Sequence, residues 1–316
     1  MKKILIQSLV ALAAVTSISA FAQGSLTPSG APAPSMKSLA QVEPRTPISA
    51  ASFTISQPGS YYLTTNLTGF GSAPGVTIAA NDVTLDLNGF AMTGPAVVYA
   101  GVFVGSGSYT NVTIRNGTIK GWIEGVRVFD GDSKNIVLDQ LNISDSAGYG
   151  IDAAGATITR CTVTASGNTG IYAYYSLVQN CTVNYSRATG IELRASDAIG
   201  CEVNYCNHDG IRINFAGCQV IANTLRSNNL TNGVNYASIR INDNYNRIEN
   251  NHISNSGAAG AGIGGGLGYS GNIVIRNSVI GGGVNDYSII GNQIVGPIIN
   301  TSGTITNVNP WANFAY

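Results

Sequence analysis

Four glycine-isoleucine steps, beginning at Gly150, Gly170, Gly190 and Gly210, stand 20 residues apart. Cys161, Cys181 and Cys201 keep the same interval, and so do Val163, Val183 and Val203. Three columns with one period mean an internal repeat. A repeat of this length constrains the fold more than any other feature of the chain. A unit of 20 residues cannot bury an apolar face alone and must stack on its neighbours.

The repeat continues outward with variable spacing. A nine-residue core reads DVTLDLNGF (82–90), NVTIRNGTI (111–119), NIVLDQLNI (135–143), GATITRCTV (155–163) and YSLVQNCTV (175–183). It goes on as ASDAIGCEV (195–203), GCQVIANTL (217–225), YNRIENNHI (245–253) and NIVIRNSVI (272–280). The fourth position is Leu, Ile, Val or Ala, and the ninth is always apolar, from Phe90 to Ile280. A second short segment precedes most cores: GVFV (101–104), GVRV (125–128), GIDA, GIYA, GIEL and GIRI, with SIRI (238–241) taking that place after an insertion. In that alignment Asn242 falls on Asn214 and Ile253 on Leu225. The interval from Ile280 to Ile294 is too short for a full coil, so the register there is open.

Each period therefore holds two or three short β segments punctuated by Gly, Asn and Asp. A leucine-rich repeat shares the L-x-L-x-x-[NC]-x-L spacing, but it needs leucine and a helical outer side. This chain has 16 leucines, and its linking segments alternate like strands. Its 39 glycines and 32 asparagines suit many turns. With 10% charged residues it also lacks the charge that goes with disorder. The expected fold is all-β: a single-stranded right-handed parallel β-helix, a solenoid with coils about 4.8 Å apart. It should have an N-terminal cap and a C-terminal tail, because its end coils would expose unpaired edges.

The period and the N-x-V-I-R-N-x-x-I type of core resemble the secreted right-handed parallel β-helix proteins of the pectate-lyase-like superfamily. QPGSYYLTTNLTG (57–69) followed by VTIAANDVTLDLNGF (76–90) is similar to the first coils of bacterial members. The resemblance spans about residues 50–300. It implies the fold firmly and the activity loosely, since the superfamily holds lyases, hydrolases, epimerases, tailspikes and adhesins.

The ends read differently. MKK (1–3), a mostly apolar stretch and Ala20-Phe21-Ala22 fit a signal peptide over 1–22, so the protein is expected to be exported. No later segment is apolar enough to span a bilayer. Residues 23–50 form a Pro/Ser/Ala-rich leader in which MKSLAQVE (36–43) suits a short capping helix. The solenoid is assigned to 51–300 and a capping tail, with Trp311, Phe314 and Tyr316, to 301–316. The formal charge is zero, so no global field favours nucleic acid. The five cysteines are an odd number and form no C-x-x-C pair. The aligned three should face inward, pointing the same way, as buried thiols that pack like small apolar residues.

Alternate residues of a strand face opposite sides. With Ile171 and Ala173 inward, one outward column is Phe103, Arg127, Asp152, Tyr172, Glu192, Arg212 and Arg240. The next is Phe129, Ala154, Tyr174, Arg194, Asn214 and Asn242. Tyr172, Tyr174 and Tyr175 are candidates to stack on sugar faces. Arg194, Arg212 and Arg240 are candidates to hold uronate or sulfate groups. Asp152 and Glu192, two coils or about 10 Å apart, approach the separation of an inverting carboxylate pair. The catalytic candidates are therefore Asp152, Glu192 and Arg212, with Arg212 or His208 as the base of a lyase. Glu192 beside Arg212 also reads as a plain surface ion pair. The insertion SNNLTNGVNY (227–236) sits where it would wall one end of the column. No cofactor is expected. Asp130-Gly131-Asp132-Ser133 and Asn242-Asp243-Asn244 offer oxygens to calcium, but turn chemistry explains both.

Two readings stay open. In one, an exported β-helix binds, and is a candidate to cleave, a polysaccharide or cell-envelope glycan along one lateral face. In the other, it is a non-catalytic structural or adhesive surface protein.

Overall fold

The computed structural model describes residues 43–96, 99–129, 131–283, 285–300, 304 and 306–315. The expected signal peptide, the capping-helix segment up to Val42, Asp130 and Tyr316 lie outside them. One compact unit runs from Arg45 to Tyr316. Among the described residues every regular element is a strand. The strands stack in parallel into a sheet of 22 and a sheet of 11.

The coil from Tyr175 to Arg194 shows how the sequence bends. Three of its residues, Tyr175, Asn180 and Tyr185, adopt positive φ near 50–57°. Such corners cut the chain into short strands at Leu177–Gln179, Thr182–Asn184 and Ile191–Arg194. The first two strand types form the larger sheet. The third forms the 11-strand lateral sheet, in which Ile151, Ile171, Ile191 and Ile211 pair in sequence. Alternation then sends Ile171, Ala173, Val178, Cys181 and Val183 into the core, where all are essentially inaccessible. Like residues stack on like residues, so each column is a continuous apolar seam.

The 20-residue register carries over the insertion as the alignment requires: Ile241 pairs with Ile213, and Ile253 with Leu225. It shifts at both ends. Near the N-terminal end Met92, not Phe90, aligns with Ile119, because two extra residues turn at Asn88-Gly89. In the last core Val279, not Ile280, aligns with Ile253, and Ile280 is exposed. That core therefore begins at Gly271, and Ile294 returns to pair with Ile273. The tail covers this edge. Asn313–Ala315 pairs in parallel with Ser278–Ile280 and with Ile298–Asn300, burying Ala312 and Ala315.

Inside the corners the polar groups run in ladders. The seventh core position reads Cys161, Cys181, Cys201, Asn223, Asn251 and Asn277, and Asn313 of the tail extends it. Each asparagine Oδ1 accepts the backbone N–H of the residue one coil before, from Cys201 to Asn277, at 2.8–3.0 Å. Each Nδ2 reaches back to a carbonyl: Asn223 to Ala198 and Asn251 to Val220. The cysteines do the same work more weakly. Cys181 Sγ lies 3.5 Å from the Ile158 carbonyl and Cys201 Sγ 3.5 Å from that of Val178.

All five cysteines are free and buried. Contact with Cys161 and burial push Cys181 up to about 12, and burial pushes Cys206 up to about 11. Native protein at pH 8 should therefore take up no iodoacetamide, whereas unfolded, unreduced protein should take up five equivalents by intact mass. Fewer than five after unfolding would reveal a disulfide and contradict the thiol ladder.

Candidate functional site

The lateral sheet displays its outward residues in strict register. Phe103, Arg127, Asp152, Tyr172, Glu192, Arg212 and Arg240 pair one to the next. Tyr174 and Arg194 pair in the neighbouring column. The period thus brings together all seven predicted residues, including the binding candidates Tyr172, Tyr174, Arg194 and Arg240.

Their partners divide the face into two parts. At the N-terminal end an aromatic cluster forms. Tyr99 packs edge-on to Phe103 at 5.5 Å, and Phe103 packs similarly on Phe129 at 6.4 Å. The Arg127 guanidinium lies over Tyr99 and Phe129 at 5.0 and 5.1 Å. It is held by Glu124 at 2.9 Å and lies 3.8 Å from Asp152. One coil on, Tyr149 packs against Tyr172 at 5.6 Å. Tyr172 in turn accepts a 2.8 Å hydrogen bond from Arg194. Tyr174 lies against Tyr175 at 4.2 Å, and Tyr175 is exposed.

Toward the C-terminal end, Glu192 accepts the Asn214 amide at 2.8 Å. The Asn242 amide donates to Asn214, and Arg240 donates to Asn242. Arg212 does not pair with Glu192. It turns to Asp209 at 2.6 Å, whose other oxygen accepts the Ala237 N–H. His208 stacks face to face on Tyr236, the last residue of the insertion, at 4.2 Å. The insertion thus folds against the corner beside Arg212, and Asn229 donates its N–H to the His208 carbonyl.

Burial sets the electrostatics. It raises the Asp152 and Glu124 carboxyls above their ordinary values, with Arg127 opposing it in both. It raises Tyr149, to which Asp152 and Glu192 add. It raises Asp209 against Arg212, and it lowers His208, assisted by Arg212. Asp152 therefore keeps its proton to higher pH than a solvated aspartate does, one coil from a tyrosine and two coils from a carboxylate.

Glu124, Tyr149, Tyr99 and Asp209 belong to this site and were not among the predicted residues. One signal was present. EGVR (124–127) and DGIR (209–212) are the same four-residue pattern. In both, an acid before the glycine folds back three residues to fix the outward arginine. For calcium, Asp243 spends its carboxylate on Asn244 and its carbonyl on Asn246 and Asn272. Among the described residues no three His, Cys, Asp or Glu side chains group to hold a metal.

Residues 100–234 match the model of the right handed beta helix region family. Among solved structures, an alginate lyase from Paenibacillus sp. str. FPU-7 is similar with a TM-score of 0.58 at 13% identity, over 80% of this chain and 100% of that one. Geobacillus virus E2 ORF18 has a TM-score of 0.57 at 14% identity, over 76% of this chain and 55% of that one. The enzymatically active domain of bacteriophage CBA120 tailspike protein 2 has a TM-score of 0.52 at 14% identity, over 81% of this chain and 43% of that one. No curated protein sequence matches the chain. At these identities the likeness is one of fold, and the fold is a right-handed parallel β-helix.

Proposed function

We propose that this chain is exported and binds a polysaccharide across the outer face of the lateral sheet, between Arg127 and Arg240. One observation carries this reading. In the described structure Arg194 and Arg240 are held by neutral partners, Tyr172 and Asn242, and Arg194 lies beside the ring pairs Tyr149–Tyr172 and Tyr174–Tyr175. Rings stack on sugar faces, and guanidinium groups with no carboxylate of their own are open to uronate or sulfate. The lyase and tailspike folds named above are consistent with a glycan ligand, and the site itself favours an acidic one.

A second step is favoured by the raised Asp152 carboxyl. Asp152 is the proton donor to a glycosidic oxygen, and Glu192, across Tyr172, is the base that activates water. Arg212, held by Asp209, and the Asp209-fixed corner at His208 then position rather than react.

The test is a panel of acidic and neutral polysaccharides with purified protein, measuring binding and both reducing-end and unsaturated products. Tyr172→Ala combined with Arg194→Ala should weaken binding about tenfold or more. Hydrolysis, where detected, should fall about 10²–10⁴-fold in Asp152→Asn and in Glu192→Gln. Binding unaffected by the double variant would reject the face, and unsaturated products would reject the hydrolytic assignment. No binding across the panel would favour an adhesive protein. For that reading, the apolar groove of about 450 Å³ between Ile273, Ile294 and Trp311 offers a partner contact.

A further inference from the structure

The corner that leads into the lateral sheet carries a second cavity, of about 330 Å³. It arises from how three successive coils fill the same two turn positions. They hold Asp145 and Ala147 in one coil, Ala165 and Gly167 in the next, and Tyr185 and Arg187 in the third. The backbone bonds from Gly167 to Ser146 and from Arg187 to Ser166 fix that alignment. The middle coil, with only small residues, lies sunk between two taller ones. Its floor cannot be raised, because a Cβ at Gly167 would come within 2.1 Å of the Ala147 carbonyl oxygen.

The wall on the far side is an aromatic ring with one face occupied. Tyr185 and Tyr205 stack nearly parallel, 9° apart with centroids at 5.1 Å. Tyr185 still exposes 56% of its surface and lines the cavity. Its ring is thereby braced from behind and open in front. Arg187 also lines the cavity, and its guanidinium has no ion pair or hydrogen bond among the described residues. On the opposite wall Asp145 is exposed, and its carboxylate accepts only the neighbouring Ser144 hydroxyl at 3.0 Å. A charged pair two coils apart, roughly 10 Å by strand spacing, thus faces an empty slot beside a fixed aromatic plane.

We propose that this notch is a second sugar site, which takes a single uronic-acid ring. The apolar face of a pyranose stacks on Tyr185. The carboxylate on C5 points to Arg187, and the hydroxyls on the opposite edge of the ring donate to Asp145. The volume suits one ring, lying at the small end of ligand cavities. The notch does not depend on the lateral face: its lining residues fall in the turns before Ile151, Ile171 and Ile191, and none belongs to a strand of that sheet. Its ligand is set by the spacing of one cation and one anion across a ring, not by a polymer track.

Saturation-transfer NMR on the full chain tests this with methyl glucuronide and methyl glucoside. The glucuronide should bind saturably in the millimolar range and the glucoside markedly more weakly. Tyr185→Ala and Arg187→Gln should each weaken the glucuronide about tenfold. Tyr185→Phe, which keeps the ring, should bind as wild type. All these positions are at the surface, so unchanged melting curves will show that the variants are folded. The proposal is overturned if the glucuronide fails to saturate with wild-type protein. It is also overturned if binding survives both Tyr185→Ala and Arg187→Gln, or falls only with Tyr172→Ala. Loss of polymer binding through Tyr172 and Arg194 would leave the notch result standing, and the reverse holds equally.

Discussion

Gly190→Val should remove most of the stability of the chain. A Cβ at Gly190 would stand 2.3 Å from Val203 Cγ1 and 2.6 Å from the Gly210 carbonyl oxygen. The first atom is a buried side chain of the ninth-position seam. The second is backbone of the next coil, which cannot retreat without opening the lateral sheet. Overpacking of this kind typically costs about 1–3 kcal/mol, and a buried side-chain clash together with a backbone clash places this site above the top of that range, at about 4 kcal/mol. For a chain of this length the melting midpoint should then fall by about 10 °C or more. Gly217→Ala is the contrasting control. Its Cβ would meet nothing within 4 Å, but φ there is +77°, so only backbone strain of about 1–2 kcal/mol opposes it. Thermal scans by circular dichroism decide the matter: a Gly190→Val midpoint no lower than that of Gly217→Ala would show that the coils spread more easily than their geometry indicates.

That column explains why the fold was legible. Gly150, Gly170, Gly190 and Gly210 recur because each lies where two coils touch, and the isoleucine that follows each must point inward. Position along the repeat thus becomes position in space, and the outward columns followed without further information. The ends resisted for a physical reason. There the turns change length: two extra residues precede Met92, and the last core starts one residue earlier, at Gly271. Phe90 and Ile280 are apolar and stand at the right count, yet Met92 and Val279 occupy the seam.

The site was legible as a set of columns but not as a set of contacts. Register places Arg212 next to Glu192, but whether they bond depends on which way a long side chain leans. Asp209, fully buried, offers Arg212 a shorter and less solvated partner three residues away. Glu192 is left to Asn214. The same choice is made at Glu124 and Arg127. A carboxylate that is to hold an arginine must sit at the corner, one step before the glycine. Corner residues read as turn chemistry until the strand pairing is known, which is why Tyr149 and Glu124 went unnoticed beside Asp152.

The corners also carry the second large effect. Asn251→Leu keeps the volume of the side chain and removes its polar end. In the wild type, Asn251 Oδ1 accepts both the N–H and the side-chain amide of Asn223 at 3.0 Å. Its Nδ2 donates to the Val220 carbonyl at 2.8 Å and to Asn277 Oδ1 at 2.9 Å. The substitution leaves a buried N–H and a buried carbonyl without partners, each costing about 1–3 kcal/mol, and cuts the ladder in the middle. The expected loss is about 3–5 kcal/mol, against less than about 2 kcal/mol for Asn251→Cys. The difference has a structural basis. Cys161, Cys181 and Cys201 already occupy this ladder position, and each sulfur lies within 3.6 Å of the carbonyl that an asparagine would reach. A thiol donates one weak bond to that carbonyl but accepts poorly from the N–H, so it should restore part of what leucine loses. The repeated cysteine is therefore a hydrogen-bonding residue of the corner as well as a filler of the core. Denaturant unfolding of the two variants tests this directly. If Asn251→Leu proves as stable as Asn251→Cys, the corner is held by packing alone, and the sulfur–carbonyl contacts contribute nothing.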